Sequence, residues 1–307
     1  MFDNVINDLL SQVTGMKEIP TTGAFNIRSN GKSAGRHSTK NIDIVPKEDG
    51  SGLDIYIKAG TKAENVHIPA IITEEGVNDL VYNDFHIGEG ADITIVAGCG
   101  IHNCGAETSI HAGIHTFYLG KDSKVLYVEK HVGDGDGTGE RIINPQTHIE
   151  AGENSYIEMD TVQIKGVDST KRISSAKLAA GATVVIKEKI MTHGNQYAET
   201  AFDVDLNGEG CSAKLVSRSV ARDESKQIFR SKIVGNAASY GHSECDAIIM
   251  DKGIVIAEPE IVANNVDAEL IHEATIGKIA GEQLIKLMTL GLTEKEAEAQ
   301  IINGFLK

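Results

Sequence analysis

The feature that most constrains this chain is a phrase, a tight turn followed by an alternating strand, that recurs about every thirty residues. It reads Gly90-Ala-Asp-Ile-Thr-Ile-Val, Gly120-Lys-Asp-Ser-Lys-Val-Leu-Tyr-Val, Gly152-Glu-Asn-Ser-Tyr-Ile-Glu-Met, Gly181-Ala-Thr-Val-Val-Ile-Lys and Gly210-Cys-Ser-Ala-Lys-Leu-Val. Repetition at that period predicts a β-solenoid. No single coil can bury its inward face, so coils must stack into a ladder, and the ends of the ladder then need covering. A β-sandwich whose turns resemble one another by chance is the competing architecture.

Helical spacing is confined to the two termini. Phe2, Val5, Ile6, Leu9, Leu10 and Val13 recur as on one face of a helix, with Asp3, Asn4, Asn7 and Asp8 between them. Near the other end Ile276, Ile279, Leu284, Leu287 and Met288 fit an apolar helical face that Gly291 ends. Thr293 with Glu296 then forms a capping box for a helix from Thr293 to Phe305. These signals divide the chain into an N-terminal helix over 1–20, a β-core over 21–267 and a helical segment over 268–307, with the terminal helices as caps. The stretch Asn30 to Lys40, carrying Lys32, Arg36, His37 and Lys40, reads as a basic solvated loop.

Composition excludes several classes of function. With 307 residues, 41% apolar and 24% charged, the chain can bury a substantial core. Its 29 Lys and Arg stand against 44 Asp and Glu, and the net charge of −15 repels nucleic acid and anionic lipid. No segment approaches membrane-spanning length, and the first residues lack the cationic start and continuous apolar run of a signal peptide. Four cysteines without framework spacing suggest reduced thiols and a cytoplasmic location.

The residues able to carry chemistry are few. Cys245 lies in Gly241-His-Ser-Glu-Cys-Asp246, where a charged His242 would lower its thiol pKa and the acidic neighbours would raise it. A small core residue is the competing role for such a cysteine. His272 and Glu273, in Leu270-Ile-His-Glu-Ala-Thr275, would point to opposite faces of a strand and cannot both chelate one ion without a bend. On a helix Glu273 would instead complement the N-terminal dipole. Cys99 and Cys104 are separated by four residues, unlike the two-residue gap of zinc knuckles, and Cys211 reads as core. Gly133-Asp-Gly-Asp-Gly-Thr-Gly-Glu140 begins like a calcium loop, but Pro145 stands where a bidentate glutamate is needed, so it reads as a flexible turn. The chain contains neither a Gly-x-x-x-x-Gly-Lys-[Ser/Thr] phosphate loop nor a Gly-x-Ser-x-Gly elbow.

The order of the Cys-Asp pair at 245, the His-Glu-Ala-Thr run at 272 and Gly281-Glu-Gln-Leu284 resembles the C-terminal core of the SufB/SufD family of iron–sulfur cluster assembly proteins, and SufB more closely. The resemblance runs from about Asp84 to the C-terminus and is strongest from Ser217 onward. It implies a mainly β chain folded as a right-handed parallel β-helix with helical caps, acting as a non-enzymatic scaffold for a transient iron–sulfur cluster. It further implies that Cys245 holds the nascent cluster with Glu273 and His272 as ligands or their supports, and that Cys99 receives sulfur. Cys104 and His242 are accessory candidates. The implied partners are a SufC-type ABC ATPase, docked on the C-terminal helix through Ile301, Ile302 and Phe305, a desulfurase as sulfur donor, and apo-protein recipients. Either a homodimer or a SufB/SufD-type heterodimer fits, and flavin is left open. Some SufB proteins carry a long cysteine-bearing N-terminal extension, and any cluster role the family assigns to it is not carried over to the residues of this sequence. A SufD-like adaptor that binds the ATPase without holding a cluster is the alternative, and a carbohydrate-acting β-helix enzyme, which would need clustered acids on one face, is a third class.

Overall fold

The computed structural model describes residues 4–16 and 23–307. Residues 1–3 and 17–22 lie outside the described residues, including Phe2 and the ends of the helix expected over 1–20. The chain begins with helix α1 (Asn4–Thr14) and two antiparallel pairs, β1 (Ala24–Ser29) with β2 (Lys32–His37) and β3 (Ile42–Pro46) with β4 (Gly52–Ile57). It continues through β5 (Lys62–Ile72), β6 (Asn78–Ile87), β7 (Asp92–His102), β8 (Ser109–Leu119) and β9 (Lys124–Asp134). A broken strand, β10 (Arg141–Ile143) with β11 (Gln146–Ala151), precedes β12 (Tyr156–Lys165), β13 (Ser169–Leu178), β14 (Thr183–Thr192), β15 (Tyr197–Leu206) and β16 (Ser212–Ala221). Then come β17 (Lys226–Gly235), β18 (Ser239–Ile249), β19 (Ile254–Ala263), β20 (Ala268–Gly277), and helices α2 (Gly281–Thr289) and α3 (Glu294–Phe305).

From β5 onward successive strands alternate between two sheets. One runs β2-β1-β5-β7-β9-β12-β14-β16-β18-β20, and the other runs β19-β17-β15-β13-β10-β8-β6-β4-β3, with β11 continuing the place of β10. Pairing within each sheet is parallel beyond the N-terminal hairpins. The result is a β-solenoid of about eight turns. The inward faces of both sheets supply one continuous core, with a stacked pair, Phe85 on Phe117 (4.6 Å between centroids), among its largest members. The recurring phrase marks one corner of each turn. Gly90, Gly181 and Gly210 have φ of 64°, 66° and 69°, and in the intervening turns Asp122 and Asn154 take the same left-handed conformation at 55° and 54°.

Two local readings change. The expected basic loop over 30–40 is a β-hairpin, because Asn30-Gly31 closes β1 onto β2 with positive φ at both residues, as a two-residue hairpin turn requires. The C-terminal segment is not helical from 268: β20 pairs with β18 as far as Gly277, and helix begins at Gly281. Ile276 fits a helical stripe and also the alternation Leu270, His272, Ala274, Ile276 of a strand, and pairing with β18 decides between them.

The terminal helices lie along the flank of the solenoid. In α1, Leu9 and Val13 pack on Ile71 and Val132, and Leu10 packs on Phe25 and Ile27. In the last helix, Ile302 packs with Leu306 on Val220, beside Met191 and Ile248. Neither arrangement covers the C-terminal end of the ladder. No residue of β19 or β20 is buried, and among the described residues neither strand has a partner on that side.

Candidate functional site

The site is built at that bare end. Along β18 the inward residues are Gly241, Ser243, Cys245 and Ala247, and the parallel register sets Leu270, His272, Ala274 and Ile276 of β20 against them. Cys245 is 1% exposed, between Ser217 on one side and Ala274 on the other. Burial pushes its thiol up to about 12, reinforced by Glu188 and Asp246, so it can serve as a ligand only where a metal displaces that proton. His272 shares this inward face one register pair away, and its buried Nδ1 has no hydrogen-bond partner. Burial and the neighbouring His242 both lower its pKa.

Glu273 points the other way. It is paired in register with Glu244 on the outer face, and its Oε2 lies 3.7 Å from His242 Nε2, an ion-pair distance without hydrogen-bond geometry. The expected ligand set is therefore gathered on two adjacent strands but divided between two faces, Cys245 with His272 and Glu273 with His242. Among the described residues no three His, Cys, Asp or Glu converge where a metal ion could be held.

The other sequence candidates move further. Cys99 is fully buried among Ala70, Ile72, Ile101, Ile143 and Val167. Burial, Asp79 and Glu129 together hold its thiol protonated. An external donor cannot reach it in this conformation, so its expected role as the point of sulfur uptake does not fit. Cys104 is exposed, with Sγ 3.0 Å from His102 Nε2. Cys211 is core, as its lack of a motif implies. Of the expected docking residues, Ile302 is 6% exposed because it holds α3 to the solenoid, and Ile301 and Phe305 are half-buried. From Gly281 onward the large apolar side chains that face solvent are Ile285 and Met288 of α2, and Leu290 just after it.

A second group of residues escaped sequence reasoning. The solenoid interior carries a line of buried polar side chains. At its N-terminal end Arg28 forks onto Asp79, which also meets His111 Nδ1 at 3.1 Å. Deeper, His115 Nδ1 lies 2.8 Å from the Tyr127 hydroxyl, which donates to Glu129 (2.9 Å). Arg172 binds Glu129 and approaches Glu188 at 3.4 Å, and Glu188 accepts from Thr200 and Ser217, both at 2.8 Å. Ser217 is the register partner of Cys245, and further along Ser243 donates to Ser231. Buried charge is costly even when paired, so this line is poor as a stability device. Its sequence signal was parity: Tyr127, Glu129 and His131 occupy the inward positions of β9, where a structural coil needs apolar residues.

Over residues 72–305 the chain matches the family described as SUF system FeS cluster assembly, SufBD core domain. An iron–sulfur cluster assembly SufBD family protein of Archaeoglobus fulgidus is 29% identical over 266 residues, covering 86% of this chain and 70% of that protein. One from Methanocaldococcus jannaschii is 29% identical over 264 residues, covering 85% and 82%. A Methanothermobacter thermautotrophicus relative is 28% identical over 239 residues, and the match spans only 57% of its length.

Proposed function

The chain belongs to the SufBD core family of the SUF iron–sulfur cluster assembly system, and on that premise we propose that it is the scaffold on which a cluster is built, at the open end of the solenoid. One observation carries the reading: Cys245 and His272 share an inward face on the last two stacked strands, beside a sheet edge with no partner. A thiolate and an imidazole suit iron, but two donors leave it under-coordinated. A second chain set against the same edge, a copy of this one or a SufB/SufD-type partner, supplies the rest. The exposed lumen-facing Ile261 and Ile276 at that end favour such a partner over water.

In this reading iron and sulfide are substrates and the assembled cluster is cargo for apo-proteins. The buried polar line offers sulfur a path from the Cys99 region to Cys245, since its groups can hydrogen-bond a polar species that apolar coils would exclude. ATP is hydrolysed by a separate SufC-type subunit, for which α2 presents Ile285 and Met288. Nucleotide can move the scaffold only if that subunit binds its two states unequally. A SufD-like adaptor role competes with this reading, and retention of Cys245 disfavours it.

The test is anaerobic reconstitution with iron and sulfide in the presence of the ATPase, with mass measured in solution. The scaffold reading expects iron and acid-labile sulfide to bind and the loaded form to contain two scaffold chains. An iron-free protein, or cluster bound to a lone chain, contradicts it.

A further inference from the structure

We propose that Cys104 is a histidine-activated nucleophile that takes sulfane sulfur from a persulfide-bearing donor; the identity of that donor class rests on the scaffold reading above. The constellation begins with spacing. His102 ends β7 and Cys104 follows after one residue, so both side chains emerge on the same side of the strand end. Sγ lies 3.0 Å from Nε2 of His102, while Nδ1 of the same ring lies 3.4 Å from Oδ2 of Asp134, its register partner on the adjacent strand, an ion-pair distance without hydrogen-bond geometry. A nucleophile in contact with a base is the core by which a reactive thiol is recognised, and the nearby carboxylate can stabilise the imidazolium once the base takes the proton. Lys165 completes the group, 3.6 Å from Asp134.

The loop that carries Cys104 is held rigidly. Asn103 is buried, donates to Glu107 O (2.8 Å) and Gly139 O (3.2 Å), and accepts from Gly105 N (2.9 Å). The glycine run over 133–139, expected to be a flexible turn, is the platform beneath it. A Cβ at Gly135, Gly137 or Gly139 would fall 2.3, 2.3 and 2.2 Å from the carbonyl oxygens of Asn103, Gly105 and Glu107, so glycine at every second position lets the two loops stack. Gly137 N and Gly139 N bond across this contact to Asn103 O and Gly105 O. A polar groove of about 520 Å³ opens on the far side of Asp134, between Arg141, Lys165, Asp168 and Gln196, and gives a donor's loop a place to rest. The other three cysteines are buried.

The transfer conserves atoms and electrons. His102 Nε2 takes the Cys104 proton, and the thiolate attacks the terminal sulfur of the donor's persulfide. The donor's S–S bond breaks, its electron pair leaves on the inner sulfur, and that sulfur collects the proton from His102. The products are a donor thiol and a Cys104 persulfide, with no net oxidation. Of the groups at this corner, His102 is the one in contact with Sγ, and Asp134 and Lys165 lie beyond it.

Two measurements on the full chain test this. Alkylation by iodoacetamide, located by peptide mass, should label Cys104 in the native state. His102→Gln should slow it by about tenfold near pH 7, with the rates converging near about pH 9.5, where thiols ionise unaided; a collapsed loop would not restore the rate at high pH. With glutathione persulfide as the probe, Cys104→Ala should lose sulfur uptake and Cys99→Ala should retain it at Cys104. Equal alkylation rates for wild type and His102→Gln near neutrality, or undiminished uptake by Cys104→Ala, would overturn the proposal. Uptake at Cys104 in a chain that never builds a cluster from iron and free sulfide supports this proposal while removing the scaffold reading.

Discussion

The turns formed by β9, β13 and β14 and the final turn formed by β19 and β20 are made of the same kind of strand, yet they treat polar residues in opposite ways. In the first, Arg172, Glu129 and Glu188 are sealed between coils on both sides and satisfy one another. In the last, His272 keeps an unpartnered Nδ1 beside an unpaired edge, and no residue of either strand is buried. A stacked ladder demands that each interior group be matched by its neighbours, and the last turn has only one neighbour. The difference shows how one repeating fold can be rigid along its length and open to chemistry at its end.

The comparison breaks most visibly at Arg172. Arg172→Met leaves two buried carboxylates without their shared cation and should cost about 3–5 kcal/mol in chemical denaturation. His272→Gln at the open end should stay within about 0.5 kcal/mol, as expected of a site away from the packed interior. Similar costs for the two would show that the closed and open turns are energetically alike.

Titration sharpens the same contrast. His115, in the closed region, has its pKa lowered from 6.5 to about 4 by burial. Its neutral form is the folded one, so its contribution is complete above the unfolded value and is lost as pH falls from 6.5 toward 4, a loss of roughly 3 kcal/mol. Glu129 and Asp79, held ionised by adjoining cations, lose theirs at still lower pH. Cys245 has the opposite sign: its thiol is raised from 9.0 to about 12, so its contribution holds below the unfolded value and fades as pH climbs through that window. Hydrogen exchange should therefore accelerate first in β8 and β9 on acidification and first in β18 in alkali. Uniform acceleration along the solenoid would contradict the assignment.

The smallest effect on the chain itself should come from the open end. Ile261→Lys with Ile276→Lys alters lumen-facing residues that are 40% and 39% exposed, so unfolding should shift by no more than about 0.5 kcal/mol at each site. Light scattering should nevertheless find the loaded protein reduced to single scaffold chains, since two buried ammonium groups would oppose a second chain at the same edge.

The turn-and-strand phrase was enough to reveal the solenoid because every coil must solve the same corner geometry. The open end was not legible, since alternation in Ile271 to Ile276 overlaps a helical stripe and only pairing with β18 decides. Nor could an apolar face on α3 reveal whom it meets; Ile302 meets Val220 of its own chain. The Cys-Asp context singles out Cys245 for the proposed site, and the opposed directions of His272 and Glu273 follow from the two-residue period of a strand. Exposure separated Cys99 from Cys104, a property that depends on which coils stack above each residue. Charged residues at inward parity on β9 and β14 were present in the pattern and passed as ordinary strand positions.

The central claim is that the open end holds the cluster through Cys245. It is tested most directly by anaerobic reconstitution of wild type and Cys245→Ser side by side, with iron and acid-labile sulfide measured per chain. Serine preserves the shape of a small side chain but lacks the soft donor that iron–sulfur clusters take. The account predicts a Cys245→Ser protein that is folded and binds neither iron nor sulfide above background, and full loading of that variant would contradict it.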